Sequence, residues 1–411
     1  MMEQLVLHSA EQRVQAGPLG PHLDGFAALL REQGYANWTV QYRVRVVTQL
    51  GQWLERNRGV VDDRNEQTIV RFLRGHGRRG GVRHGDVAAL DQCLSGLRAN
   101  GVIRSPVLVV VRSERARIEA GYVQYLSQER ALQAVTQQNY LGLVRGFLDA
   151  RFGRRRADWS RLTSPDIADF LRRYAGTARC VRAKLMVTAL RSFFRFLHVQ
   201  GHVATNLAVA VPAVAGWRLA GIPRSLESHQ VERLLHGCDR TTAVGRRDHA
   251  LLLVLARLGL RAGEIVRMTL EDIDWEAGVL TVRGKGARED RLPIPGDVGQ
   301  ALASYLRQAR PRCTTRRVFV RTRAPLCGFA NSVAVSTIVR RALERVGIES
   351  PCKGAHLLRH SLATRMLGRN ASLAEIGEVL RHRSPNTTQI YTKVDLLALR
   401  ALAMPWPGGV R

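Results

Sequence analysis

One stretch of this chain carries the signature of paired strands, and it stands alone. Gly278–Pro295, GVLTVRGKGAREDRLPIP, has two short apolar runs around a glycine- and charge-rich turn, which reads as a β-hairpin. Elsewhere the readable apolar periodicity is helical. Val40, Val44, Val47, Leu50 and Leu54 recur at three- and four-residue steps, and Tyr140, Leu143, Val144, Phe147 and Leu148 form a similar stripe. Further helices are expected at Val231–Leu235, Asp248–Leu260, Ser332–Val346, His356–Gly368, Leu373–Leu380 and Thr387–Ala401. The fold class this predicts is mainly α with a small antiparallel sheet, α+β.

The first half reads as two copies of one helical unit. Trp53 matches Phe147 at an offset of 94, IVRFLR (Ile69–Arg74) matches IADFLR (Ile167–Arg172) at 98, and LRANGVI (Leu97–Ile103) resembles LHVQGHV (Leu197–Val203) at 100. Amphipathic helices also resemble one another by chance, so three matches in order point to duplication without excluding coincidence. Each unit has an Arg-rich break, RGHGRRGGVRH (Arg74–His84) and RFGRRR (Arg151–Arg156). Glycine lets backbone approach phosphate and guanidinium pairs with its oxygens, although a solvated loop explains either break equally well. The expected organisation is a tail at 1–20, an extra helical domain at 21–105, a second helical domain at 106–212, a linker at 213–224, a third domain at 225–403 and a tail at 404–411.

The charge balance points to a partner. The formal net charge is +29, and the cations are 59 arginines beside only four lysines. Self-repulsion of that size is relieved by a polyanion, with nucleic acid the first candidate, an anionic membrane surface the second, and an Arg-rich codon usage the plain alternative. A hydrophobic content of 45% excludes a disordered basic tail. The six cysteines are scattered without a CxxC, which argues for a reducing compartment and against a zinc ribbon. Met1–Ala10 lacks the basic start and apolar run of a signal peptide, and the longest uncharged apolar stretch, Leu207–Trp217, is too short to span a membrane. A cytoplasmic, nucleoid-associated protein with no membrane partner is expected.

Five segments of the second half carry chemistry. Arg261, in GLRAGEI, follows a very apolar helix, where Glu264 can orient it as a phosphate clamp; a helix-end salt bridge is the plain alternative. Lys285 sits between two glycines at the hairpin tip. Among so many arginines its presence hints that a releasable proton is wanted, which suits a general acid. No Ser or Thr follows it, so this is not a phosphate-binding P-loop. In HLLRH, His356 and Arg359 share a helix face and offer an imidazole and a guanidinium to one anion. His356 and His360 have metal-pair spacing, but Leu357 stands where a zinc protease needs Glu, so His360 is expected to be a packed structural histidine. His382 precedes Tyr391 by nine residues. Two arginines and two histidines would stabilise the charge of a five-coordinate phosphorus while Tyr391 attacks and Lys285 protonates the leaving oxygen. No carboxylate cluster for Mg²⁺ is present in the sequence, so the expected chemistry needs neither a metal nor another cofactor.

The order Arg, Lys, His-x-x-Arg, His, Tyr resembles the tyrosine recombinase (phage-type integrase) family over Ser225–Ala401, through LGLRAGEI, RGKG, HLLRHSLATRML and LRHRSPNTTQIYTKV. The resemblance implies an integrase-type catalytic domain with SAM-like helical core-binding units. It implies Arg261 and Arg359 as phosphate-binding arginines, Lys285 as general acid, His356 and His382 as supporting histidines, and Tyr391 as the nucleophile of a 3′-phosphotyrosyl intermediate formed without ATP. Glu264 and His360 take supporting places. The box before the tyrosine commonly reads Leu-Gly-His, and here Arg381 replaces the glycine. The implied partners are double-stranded DNA and a homotetramer on two duplexes, in which a helix at Val394–Ala403 would dock onto a neighbour or pack on its own domain. Candidate DNA contacts are Arg154, Arg155, Arg156, Arg182, Lys184, Arg283 and Arg288. The expected activity is site-specific integration, excision or transposition of a mobile element. Alternatives are a type IB topoisomerase-like relaxing enzyme and a catalytically silent DNA-binding accessory protein.

Overall fold

The computed structural model describes residues 17–57, 66–80, 84–103, 113–153, 157–177, 180–213, 223–284 and 289–394. Contacts divide the chain into two units, residues 104–220 alone and residues 1–103 together with 221–411. Three large apolar cores form, within 19–103, 118–211 and 226–358, and a smaller one within 362–394. The fold is mainly α with one small antiparallel sheet, as the periodicity predicts. No described helix is long and apolar enough to cross a membrane.

The first core is built by a 3₁₀ turn (Gly17–His22) and helices α1 (Leu23–Glu32), α2 (Asn37–Arg56), α3 (Glu66–Gly80) and α4 (His84–Ala99). The second is built by α5 (Glu114–Gln128), α6 (Ala134–Phe152), α7 (Ser164–Thr177) and α8 (Cys180–Val199). Several buried positions of the two sets match at a slowly growing offset. At an offset of 96, Phe26 and Leu30 of α1 answer to Tyr122 and Leu126 of α5, all buried. At 97, Val46, Val47 and Leu50 answer to Leu143, Val144 and Phe147, and both helices open with the same turn, Thr39 N–H to Ala36 O and Thr136 N–H to Gln133 O, each 2.8 Å. At 98, Ile69 answers to Ile167. At 100, Ala89, Leu90, Cys93, Leu94 and Leu97 answer to Ala189, Leu190, Phe193, Phe194 and Leu197. Both fourth helices end on a left-handed glycine, Gly101 and Gly201, after which Val102 N–H reaches Leu97 O (2.9 Å) and His202 N–H reaches Leu197 O (2.8 Å). The offset grows in steps at the loops, where insertions are tolerated.

Two sequence expectations change here. Trp53 lies one turn beyond the position equivalent to Phe147, which Leu50 occupies. Helix side chains lean toward the N-terminus, so Trp53 still reaches Phe72 edge-on (6.0 Å) much as Phe147 meets Phe170 (5.1 Å). The run beginning at Arg74 is not a break at first, because α3 continues to Gly80. Each interior glycine costs about 1 kcal/mol of helix propensity, but Thr68, Ile69 and Phe72 anchor the preceding turns in the core. The rest of the run, 81–83, lies outside the described residues, as do Arg154, Arg155 and Arg156.

The third core surrounds α10 (Ala243–Leu258), whose residues Leu251–Ala256 are all buried; α9 (Ser228–His236) precedes it. The all-round apolar pattern fits, because α9, α12 (Gly296–Gln308) and α14 (His356–Leu367) all pack on it. Between them lie α11 (Ala262–Arg267) and the sheet β1 (Ile273–Asp274), β2 (Val279–Arg283) and β3 (Glu289–Pro293), in that order. The β2–β3 register runs from Val279 opposite Pro293 to Arg283 opposite Glu289, and Leu280 and Val282 supply the buried face. The expected hairpin is therefore present, while its tip, including Lys285 and Arg288, lies outside the described residues. Helices α13 (Ser332–Arg345) and α15 (Leu373–Val379) fall where expected. The helix expected at Thr387–Ala401 differs: Pro385 opens a short α16 (Pro385–Thr388), which tightens into a 3₁₀ turn, Gln389–Val394. Residues 395–403 of the proposed docking helix lie outside the described residues.

Candidate active site

Four elements of the C-terminal half converge on one place. Helix α10 ends at Gly259, whose φ of +59° is left-handed and suits glycine. A Cβ there would lie 2.8 Å from Leu380 and 2.9 Å from Leu362, so the chain turns in contact with two other boxes. Two residues on, Arg261 caps α11. Glu264, one turn in, accepts its backbone N–H at 2.8 Å and its Nη1 at 2.9 Å, while Nη2 donates to Arg381 O at 3.4 Å. The Arg261 side chain remains 40% exposed.

Arg359 is 4% exposed, and its guanidinium donates one arm to Gly259 O and the other to Leu380 O. Burial, with Arg261 and Arg381 nearby, pulls it down to about 10. It remains a cation at neutral pH, so the site holds a buried positive charge that an anion would relieve. His356, on the same face of α14, is pulled below the usual histidine range by burial and then by Arg359 and Arg261. His382 is driven lower still, to about 4, by burial and the same arginines, and its Nδ1 lies 2.8 Å from Thr388 Oγ1. Both imidazoles are neutral at pH 7, able to donate one hydrogen bond each to an anion.

A cleft of about 570 Å³ is lined by Arg261, Glu264, Gly284, Asp290, His356, Arg381 and His382. Gly284 brings the base of the hairpin to its edge. Tyr391 is placed behind this lining, 1% exposed in the small core with Leu362, Ile376 and Leu380. Its Oη lies 2.8 Å from His360 Nδ1, and the rings are 5.7 Å apart at 61°. Burial pushes the phenol up to about 12, partly offset by Arg359.

The structure thus brings together Arg261, Glu264, His356, Arg359, His360, His382 and Tyr391. Among the residues expected at DNA, Arg283 has its guanidinium on Asp272 and Glu289 (3.0 Å to the latter), Arg182 Nε donates to Tyr174 Oη at 3.1 Å, and Lys184 is exposed on α8. Two contacts at the site could not be read from the sequence. His360 faces Tyr391; the i,i+4 spacing placed it on the right helix face but could not show its partner 31 residues away. Arg381 is 6% exposed, with Nη2 2.7 Å from Glu264 Oε2 and Nε 3.8 Å from Asp290. Its signal was the replaced glycine.

Comparison with known proteins places these motifs. A family model described as the phage integrase family matches residues 224–396, and one described as the phage integrase N-terminal SAM-like domain matches residues 120–201. A putative integrase/recombinase of Sinorhizobium fredii (y4rA) is 43% identical over 401 residues, covering 97% of either chain. The tyrosine recombinase XerC of Oceanobacillus iheyensis is 30% identical over 294 residues, 69% of this chain and 93% of its own. The fold is shared with XerH site-specific recombinase in a post-cleavage complex on palindromic difH (TM-score 0.53, 16% identity, 97% of both chains). It is also shared with a lambda integrase tetramer bound to a Holliday junction (TM-score 0.53, 20% identity, 76% of this chain and 87% of that one).

Proposed function

The chain belongs to the phage integrase family of tyrosine recombinases, enzymes that cleave and rejoin DNA, and from that premise we propose that it does so through a covalent link to Tyr391. Oη of Tyr391 bonds to the scissile phosphorus as the bond to O5′ breaks, giving a 3′-phosphotyrosyl link and a free 5′-hydroxyl. The phenol proton passes to His360 Nδ1, which accepts the hydroxyl's hydrogen bond in the neutral tautomer. Lys285 supplies the proton to O5′. Arg261, Arg359, His356 and His382 hold the non-bridging oxygens and stabilise the charge gathered at phosphorus. Glu264 orients Arg261. The phosphodiester energy is kept in the tyrosyl ester, so rejoining needs no ATP, and the protein's own cations supply the charge stabilisation.

The observation that carries this reading is the lattice of Arg359, whose two arms tie Gly259, beside Arg261, to Leu380, beside His382. One buried cation thereby assembles the phosphate-binding groups from three separate boxes. The names of the integrase/recombinase relatives support recombination over simple relaxation or silent binding. A tetramer of the same fold on a Holliday junction supports a homotetramer on two duplexes.

Residues 225–403 form the catalytic domain in this reading, and 106–212 a core-binding domain whose Arg154, Arg155, Arg156, Arg182 and Lys184, with Arg283 and Arg288 of the hairpin, track phosphates. The matching burial of the two four-helix sets supports 21–105 as a second copy of that unit. The exposed stripe Lys184, Thr188, Arg191, Arg195 of α8 answers to His84, Ala88, Asp91 and Ser95 of α4. Along this stripe the first unit lacks the three cations of the second, so this face contributes less to phosphate attraction. The test is trapping on nicked duplex made from DNA flanking the protein's own gene. The unsubstituted protein should give an SDS-resistant adduct, and Tyr391→Phe should abolish it while still binding. An adduct with the Phe variant would show that another residue is the nucleophile.

A further inference from the structure

Arg381 is held in a manner that its own stability does not explain. Its backbone is left-handed, φ +54°, a conformation that a glycine adopts without strain. Its side chain is almost wholly buried, and Nη1 has no hydrogen-bond partner among the described residues. A glycine at this position would avoid both costs. What the arginine does make is an ion pair, Nη2 to Glu264 Oε2 at 2.7 Å, and a longer approach to Asp290 at 3.8 Å.

Glu264 is the other half of the argument. Its side chain is 2% exposed, and it accepts from Arg261 twice and from Arg381 once. Burial pushes its carboxyl up; the charge of Arg381 is the largest single influence that reverses this, and the hydrogen bonds and charge of Arg261 add to it. A buried carboxylate facing Arg261 alone would neutralise it and draw its fork inward. With a second guanidinium on Oε2, the carboxylate is shared between two cations. Arg261 then keeps a net positive field toward the cleft, with Nη2 turned to the carbonyl of residue 381.

We propose that Arg381 is a positioning residue for cleavage: it balances Glu264 so that the charge of Arg261 is presented to the scissile phosphate. Arg381 does not touch the phosphate itself and acts through Glu264. The inference rests on the reading that Arg261 binds that phosphate.

The test uses the full chain and a suicide duplex centred on the cleavage position, mapped from adducts of the unsubstituted protein. Two forms of the duplex are compared, with an ordinary phosphate or a neutral methylphosphonate at that position. Arg381→Gly should slow adduct formation at saturating protein by at least tenfold on the ordinary duplex and by much less on the methylphosphonate, which has no charge to neutralise. Arg381→Lys should keep part of the rate. Adding Glu264→Gln to Arg381→Gly removes the unbalanced carboxylate and should restore the rate at least threefold. Equal slowing on both duplexes would mean a merely structural role, and so would a double variant no faster than the single one. A normal rate for Arg381→Gly overturns this inference alone. Absence of any adduct with the unsubstituted protein overturns the phosphotyrosyl reading and this inference with it.

Discussion

His360 Nδ1 and Tyr391 Oη lie 2.8 Å apart in the smallest of the four cores. Burial, then His356 and Arg359, hold the imidazole below the usual histidine range, so it is neutral and able to accept a proton at the pH where the phenol is fully protonated. In the proposed mechanism an acceptor and a nucleophile are thereby paired before DNA arrives. His360→Asn keeps an acceptor near the position of Nδ1 but removes the base. It should slow adduct formation by roughly 10²-fold with little change in DNA affinity, measured by single-turnover trapping beside fluorescence anisotropy. An unchanged rate would return His360 to a packing role.

Arg359 holds two carbonyls with a planar fork that an ammonium cannot copy. Arg359→Lys should lower the cleavage rate by about 10²-fold although the charge is kept. The carbonyl left without a partner should also cost on the order of 1–3 kcal/mol, read as a lower midpoint in urea. Full activity in the Lys variant would show that only charge matters there.

Gly259→Ala strains a left-handed residue by about 1–2 kcal/mol and drives a methyl against Leu380 and Leu362. Because Gly259 O is also a partner of Arg359, the substitution should lower both the denaturation midpoint and the adduct rate. Gly347→Ala is a control: it has a similar φ of +64° with open space around it, so it should lose stability alone.

The DNA-free protein should lose thermal stability as pH falls from about 7 to about 5. His356, His360, His382 and His249 all have lowered values, led in each case by burial. The unfolded chain takes up protons near the ordinary histidine value, whereas the folded chain resists until lower pH, to about 4 for His382. Their contribution is therefore complete above the ordinary value and eroded below it. Glu264, held below its usual range, should keep its contribution across this window. A melting temperature that rises between pH 7 and pH 5 would contradict the lowered values.

DNA affinity should depend steeply on salt. Lys184→Ala or Arg195→Ser, on the exposed face of α8, should each reduce the slope of log K against log salt by about one. Anisotropy titrations with a generic duplex over a salt series measure this. A slope unmoved by either change would place the DNA on another face.

The sequence reveals those parts of the fold that rest on local pattern. The hairpin and the stripes of α2 and α6 follow from apolar pattern and helical spacing, and the residues of the candidate site follow from short ordered motifs. Contacts between motifs do not. Spacing put His360 on the face of α14 but gave no sign of Tyr391, and Arg381 showed only as a substituted glycine, with Glu264 117 residues away. The glycines of 74–80 suggested a break because propensity counts them singly, whereas the buried Ile69 and Phe72 hold that helix from its first turns. Aromatic resemblance pairs Trp53 with Phe147, whereas matched caps and burial pair Leu50 with it.

Arg359 grips main-chain oxygens, and so does the free arm of Arg261. Such a grip is indifferent to whichever side chain hangs from the same residue. The side chain at 381 can therefore change without loosening that grip, whereas Leu380 is fixed by the core it fills. A residue foreign to the motif could settle beside the reacting phosphate, be tried for usefulness and be kept or discarded, all while the enzyme stayed in service. The arrangement separates what must stay fixed from what is free to explore, and Arg381 stands on the exploratory side of that division.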